Sequence, residues 1–350
     1  MSDKSKRVLS IDFLRGLLAY SVMIYHYLSW LSDGLDASSV FSRFGLYAVT
    51  IFYFISGFSL MFVYNNRIDF DIFLYFKKRF FRLAPLFYFV SVIFFTYGYL
   101  EYDRLDLLKI ILNFSFLFSI LDPSAYYATG SWSIGNEMFF YLILAFILIS
   151  QQKFSHLFFI LLFIITLFIY IYYRHSLIHS YEKLSDQWYV YINPLNHLFT
   201  FLIGCATYLV YNRYPNLFKS IIVKLILLFF CSLIFLPLYE GDRVNLVRGF
   251  DFLLLIVSSY SIFILFLSLN DNAYLNSGFS TFLGNISYSV YLVHPICWFF
   301  IKRFFISPNL FYEWILFWLL SILFTTVVSY LTYRYIELPG IKLGRIISFK

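Results

Sequence analysis

Ten stretches of about twenty mostly apolar residues recur along the chain, at 8–31, 44–64, 83–100, 132–149, 154–173, 194–212, 219–239, 247–269, 280–301 and 311–336. A hydrocarbon layer of ~30 Å is crossed by an α-helix of ~20 apolar residues. Backbone polar groups in lipid must be satisfied within the segment itself. The expected fold is therefore all-α: a polytopic transmembrane helix bundle of about ten spans. An eleventh apolar run, at about 105–121, is shorter and carries Asp106 and Lys109. It reads as a short span, a re-entrant piece or an interfacial helix.

Composition excludes the alternatives. The chain is 61% hydrophobic and 13% charged, against about 25% charged in soluble domains. Its 47 Phe, 32 Tyr and 6 Trp exceed what a soluble globule of 350 residues hides, and such a composition is not that of a disordered chain. A net charge of +7 suggests nucleic acid in a soluble protein; here Lys and Arg orient helices instead, and no nucleic-acid partner is expected. With ten spans and the N-terminus inside, sixteen Lys and Arg fall on the cytoplasmic side and nine outside, with Arg15 inside the first span. That bias places both termini in the cytoplasm. Cys205, Cys231 and Cys297 lie in apolar runs, with neither a disulfide framework nor metal-ligand spacing. The first apolar stretch contains Arg15 and lacks a small-residue cleavage site, so it reads as a first span and not a cleavable signal. The longest hydrophilic stretch, 174–193, is too short to fold alone, and a single domain over 1–350 with no appended soluble domain is expected.

Polar residues inside the runs carry the chemistry. Arg15 and His26 are eleven residues apart. At ~100° and ~1.5 Å per residue they share one helix face, ~16 Å apart. Ionisable groups at such depth normally face a cavity or a partner. The plain alternatives are a snorkelling anchor for Arg15 and an interhelical hydrogen bond for His26. Ser133, Glu137 and Tyr141 fall at i, i+4 and i+8, one polar stripe on an apolar helix. Glu137 is placed to pair with Arg15 or to orient His26 and favour its protonated form; a structural ion pair is the bland reading. Arg79 and Arg82 share a face in Lys77-Lys78-Arg79-Phe80-Phe81-Arg82. They suit phosphate, or they merely set topology and meet anionic lipid. Ser287, Tyr291 and His294 share a face beside Tyr288 and Pro295; they line a polar cavity or join helices. Ser56-Gly57 reads as a close-packing pair, His197 as structural, and His156, His175 and His179 as interfacial or in loops.

Taken in order, Asp12-x-x-Arg15-Gly16, Arg15 with His26, Tyr53-Phe54-Ile55-Ser56-Gly57, Arg79-x-x-Arg82-x-x-Pro85, Trp132-Ser133-x-x-x-Glu137-x-x-x-Tyr141, Ser287-Tyr288-x-x-Tyr291-Leu292-x-His294-Pro295 and Glu337-x-Pro339 resemble the membrane-bound acyltransferase family 3. Its members O-acylate cell-surface sugars. The resemblance runs from Asp12 to Pro339. It departs after Asn193-Pro194-Leu195, where the family often has an Arg and then an acid and this chain has His197 and Thr200. The resemblance implies an acyl-coenzyme A donor co-substrate, acetyl-CoA first and succinyl or a longer acyl as alternatives. It also implies a cell-surface or lipid-linked carbohydrate acceptor, with capsule or lipopolysaccharide sugar, another glycan, a lipid and a small secondary metabolite all open, no metal, and a place in the inner membrane of the cell among its lipids. On this reading His26 is general base or acyl carrier, with Arg15 and Glu137 as its catalytic companions. Arg79 and Arg82 hold the donor's phosphates. Ser133, Tyr141, Ser287, Tyr291 and His294 line the substrate cavity. A transporter or flippase of lipid-linked saccharides is the competing class, since buried His, Glu and Arg also line transport paths; a non-catalytic membrane scaffold is the third.

Overall fold

Apolar runs become helices because, away from water, only the helix satisfies a segment's backbone within itself. A computed structural model describes residues 8–32, 34–65, 70–102, 106–154, 157–236, 239–249, 251–270, 272, 275, 277–304 and 311–346. The expected cytoplasmic termini, and His156, lie outside the described residues. In chain order the helices are α1 (Leu9–Leu31), α2 (Val40–Tyr64), α3 (Ile72–Tyr102), α4 (Leu107–Phe114), α5 (Phe118–Leu121), α6 (Trp132–Phe154), α7 (Leu157–Tyr172), α8 (Trp188–Tyr191), α9 (Pro194–Arg213), α10 (Ile221–Ser232), α11 (Asp251–Ser268), α12 (Gly278–Phe304), α13 (Phe311–Thr332) and α14 (Leu338–Ile346). Among the described residues there is no strand.

Each of the ten expected runs contains a helix among its described residues. Among the described residues, six helical stretches are long and apolar enough to cross a membrane: Val40–Tyr64, Ile72–Glu101, Trp132–Ser150, Leu157–Leu177, Asp251–Ser268 and Tyr312–Ile346. Helices α1, α9 and α12 have the length, at 23, 20 and 27 residues, but carry more polar side chains. The apolar helix at Ile221–Phe235 is shorter. The 105–121 run does not form one helix. It breaks at Phe116, whose φ of 60° is left-handed, into α4 of eight residues and α5 of four. Eight residues rise only ~12 Å, too little to cross.

The chain forms two compact units. The first comprises 1–70 and 142–285. Its central seam is α2 against α9, where a Cβ on Gly57 would strike the Phe201 carbonyl and one on Gly204 the Phe54 carbonyl. Two bare backbones thus meet, as the Ser56-Gly57 pair suggested. Phe58 packs its ring edgewise on Tyr208, Tyr211 and Phe263 alongside. The start of α1 is pressed on the start of α12 by the same device. Gly16 meets Leu283, and Gly284 meets Asp12.

One end of this unit is closed by a cap the sequence did not announce. The stretch 173–192 is tied to 241–249 rather than folding alone. Arg174, 1% exposed, donates to the Val247 carbonyl at 3.0 Å and lies over the rings of Tyr170 and Tyr191. Arg248 Nε donates to the Ile178 carbonyl at 2.9 Å. The Asp242 carboxylate accepts the Leu184 amide at 2.8 Å. Arg43 on α2, 2% exposed, donates to the Leu236 carbonyl at 2.5 Å. The α1–α2 connection joins in through Asp36, whose carboxylate accepts the Gly241 amide at 2.8 Å. Hydrogen bonds to the Ser38 amide and hydroxyl, then to Gly241, hold the Asp36 carboxyl below its ordinary pKa.

The second unit comprises 71–141 and 286–350. Pro85 sits inside α3 and cannot hydrogen-bond the Phe81 carbonyl. Gly340 of α14 fills that place: a Cβ there would meet Phe81 O at 2.8 Å and the Pro85 ring at 2.6 Å. Between α13 and α14 the helix widens to a π turn at Tyr333–Glu337. That turn buries Glu337, which is 2% exposed. A second π turn, Tyr173–Leu177, likewise carries the buried Arg174 in the first unit.

Candidate active site

The chemistry-bearing residues divide between the units. In the first, α1 is continuous through Arg15 and His26, so the three-turn spacing on one face holds. Both side chains are half-buried. The imidazole of His26 touches two rings, Tyr25 at 4.9 Å and Trp30 at 5.1 Å, the latter nearly parallel at 26°. His197 is a different kind of group. It is 1% exposed, with Nε2 2.8 Å from the Tyr191 carbonyl and its ring against Tyr53 and Tyr191. That is the structural histidine expected at this position.

In the second unit four helical elements bring polar side chains together. The Tyr141 hydroxyl donates to the Glu137 carboxylate at 2.7 Å, which joins two members of the α6 stripe. Arg79 and Arg82, half-buried on α3, lie within electrostatic reach of that tyrosine. Tyr75 donates to the Tyr141 carbonyl at 3.0 Å, fixing α6 against α3. The third stripe member, Ser133, faces α12. Its Oγ lies 2.8 Å from the Tyr291 hydroxyl, and both hydroxyls reach the Gly130 carbonyl at 3.0 Å. Ser287 is buried at 2% and His294 fully, with His294 Nδ1 3.2 Å from the Val290 carbonyl.

Two residues of this cluster were not among the site residues expected from the sequence. Tyr288 donates to the Leu83 carbonyl at 2.8 Å and lies within electrostatic reach of Glu337, Glu137 and Arg82. Glu337 accepts the Ser289 hydroxyl at 3.0 Å. The signal for Glu337 was present: it is an acid directly after the terminal apolar run, as Glu137 is an acid within its own. Among the described residues, unit two thus gathers two guanidiniums, two carboxylates and the four phenols of Tyr75, Tyr141, Tyr288 and Tyr291 in a helical bundle. Guanidiniums in such a setting can hold an anionic group through paired hydrogen bonds, with neutral hydroxyls beside it.

A helical membrane bundle with basic, acidic and phenolic groups concentrated at internal positions is the class that fold and site define. The match to a family model is more specific: an acyltransferase domain, the third acyltransferase family, over residues 8–334. The chain belongs to that family and is a membrane acyltransferase. No curated protein and no solved structure matches it.

Proposed function

We propose that the protein is an integral-membrane O-acyltransferase that moves an acyl group, acetyl first, from coenzyme A to a hydroxyl of a cell-surface or lipid-linked carbohydrate. The observation that carries this is the placement of Arg79 and Arg82 beside the Tyr141–Glu137 pair. A bare topology-setting cluster needs no such company. Arginine pairs with phosphate through a planar two-pronged fork, and coenzyme A is the phosphate-bearing reactant.

The assigned roles rest on the chemistry of acyl transfer. His26 takes the proton of the acceptor hydroxyl as that oxygen attacks the thioester carbonyl. Arg15 stabilises the negative charge that develops on the carbonyl oxygen. The carbon–sulfur bond then breaks, and the departing thiolate receives the proton held by His26. If His26 is itself acylated first, the same bonds are made and broken in two transfers. Glu137 holds Tyr141, and Ser133 with Tyr291 fixes the start of α6 against α12. The excess of Lys and Arg on one side supports a cytoplasmic-membrane location with both termini inside.

Membranes containing the chain, supplied with coenzyme A thioesters labelled in the acetyl or succinyl group, test the reading. Label entering carbohydrate as an alkali-labile ester is expected. Mass spectrometry of surface glycans from matched strains with and without the chain then identifies the acceptor. No ester from either donor, with a labelled saccharide crossing the bilayer unmodified, would replace the enzyme with a transporter.

A further inference from the structure

Four arginines lie at the cap of the first unit, and three of them donate to main-chain carbonyls: Arg43 to Leu236, Arg174 to Val247 and Arg248 to Ile178. The fourth does not. Arg243 Nη1 donates to the hydroxyl of Tyr25, the side chain whose ring lies 4.9 Å from the imidazole of His26. We propose that Arg243 is a positioning residue for His26, acting through Tyr25. The proposal rests on the reading of His26 as the reacting base.

The parts of this linkage are held before they meet. Arg243 opens a single 3-10 turn, Arg243–Leu246, capped by Asp242, whose Oδ1 accepts the Val244 amide at 2.9 Å and the Leu184 amide at 2.8 Å. One residue further back, Gly241 exchanges hydrogen bonds with the α1–α2 connection, donating to Asp36 at 2.8 Å and accepting from the Ala37 amide at 2.9 Å. On the far side Asn245 donates to the Glu240 carbonyl at 2.8 Å. The guanidinium is thereby offered from a fixed backbone. Tyr25 is buried, and its ring lies directly on the α2 backbone at Gly45, where any Cβ would overlap it. With one ring face against Gly45 and the hydroxyl held by Arg243, the phenol keeps a single orientation. The His26 imidazole then rests against that fixed ring at 4.9 Å and against Trp30 at 5.1 Å. A reacting group on a half-buried helix face needs such support, since displacement of about 1 Å costs on the order of 100-fold in rate.

The test uses the full chain in membranes, with acetyl-labelled coenzyme A as donor and the carbohydrate of those membranes as acceptor. Tyr25→Phe removes one oxygen and keeps the ring packing, so it is the variant least exposed to misfolding. Tyr25→Phe and Arg243→Gln are each expected to lower turnover roughly 10- to 100-fold with the apparent KM for the thioester within about twofold. The double variant is expected to lose no more than the worse single one, because both break the same link. Arg243→Lys, which still donates a hydrogen bond, is expected to recover most of the rate. Arg248→Gln loosens the cap without touching Tyr25 and is expected to stay within about threefold of wild type. Equal losses in Arg248→Gln and Arg243→Gln would show a general cap effect and overturn the proposal. Wild-type turnover in Tyr25→Phe and Arg243→Gln, with His26→Ala inactive, would overturn the positioning role alone. Full activity in His26→Ala would remove the base reading and this inference with it.

Discussion

Converting Tyr141 to phenylalanine deletes one oxygen from a buried side chain and leaves the ring where it is. The hydroxyl donates at 2.7 Å to the Glu137 carboxylate, while Arg79 and Arg82 lie within electrostatic reach. Hydrogen bonds to charged groups contribute about 1.5–3 kcal/mol, and a carboxylate stripped of a donor in an apolar bundle stands at the upper part of that range. Tyr291 offers a comparison in the same unit. Its hydroxyl meets Ser133 at 2.8 Å and the Gly130 carbonyl at 3.0 Å, but Ser133 keeps the Gly130 carbonyl as its own partner when the phenol is lost. Neutral interhelical bonds of this kind average about 0.6 kcal/mol in membrane bundles. Tyr141→Phe is therefore expected to destabilise by about 1.5–3 kcal/mol, and Tyr291→Phe by less than about 1 kcal/mol. Reversible unfolding of the two variants in mixed micelles, with equal baselines, measures both. Equal losses, or a larger loss in Tyr291→Phe, would refute the assignment of the Glu137 carboxyl as the stronger partner.

The same geometry sets three further expectations. Gly204→Ala drives a Cβ into the Phe54 carbonyl and should cost about 1–3 kcal/mol by thermal melting, whereas Gly98→Ala, with nothing within 4 Å, should be neutral or slightly stabilising. Arg79→Ala combined with Arg82→Ala should raise the apparent KM for the thioester at least tenfold with turnover less affected, and an unchanged KM would end the phosphate role. The Asp36 carboxyl titrates below its ordinary 3.8 because of its bonds to Ser38 and Gly241. Its support of the cap is therefore complete above about pH 4 and is lost as pH falls through the lowered value. Hydrogen exchange at Gly241 and Ala37 should stay slow to that point in wild type and be fast at all pH values in Asp36→Ala.

Much of the bundle was legible because burial in lipid leaves a plain signature, a run of apolar residues of the right length. The face shared by Arg15 and His26 and the Ser133–Glu137–Tyr141 stripe were legible for the same reason: helical period alone decides them. The features that escaped depend on partners distant in the chain. Arg174 and Arg243 lie between apolar runs and Arg248 at the start of one, yet Arg174 is buried, Arg174 and Arg248 are spent on the cap, and Arg243 reaches Tyr25. Their acceptors are a backbone carbonyl or a phenol some 70 to 218 positions away. No side-chain pattern encodes a main-chain acceptor. The 105–121 run was ambiguous because its interruption is a single left-handed residue, Phe116, of a type that does not ordinarily mark a turn. The π turns at 173–177 and 333–337 each insert one residue into a helix, and periodicity read with a fixed step misplaces the residues beyond them.

The central claim, that His26 does the chemistry, is most directly tested by the initial rate of ester formation from a labelled coenzyme A thioester in membranes carrying equal amounts of wild-type and His26→Ala protein. A positioned general base is worth about 10²–10⁴ in rate, so a fall of that size is expected with helical content and melting unchanged. A variant that esterifies carbohydrate as fast as wild type would contradict it.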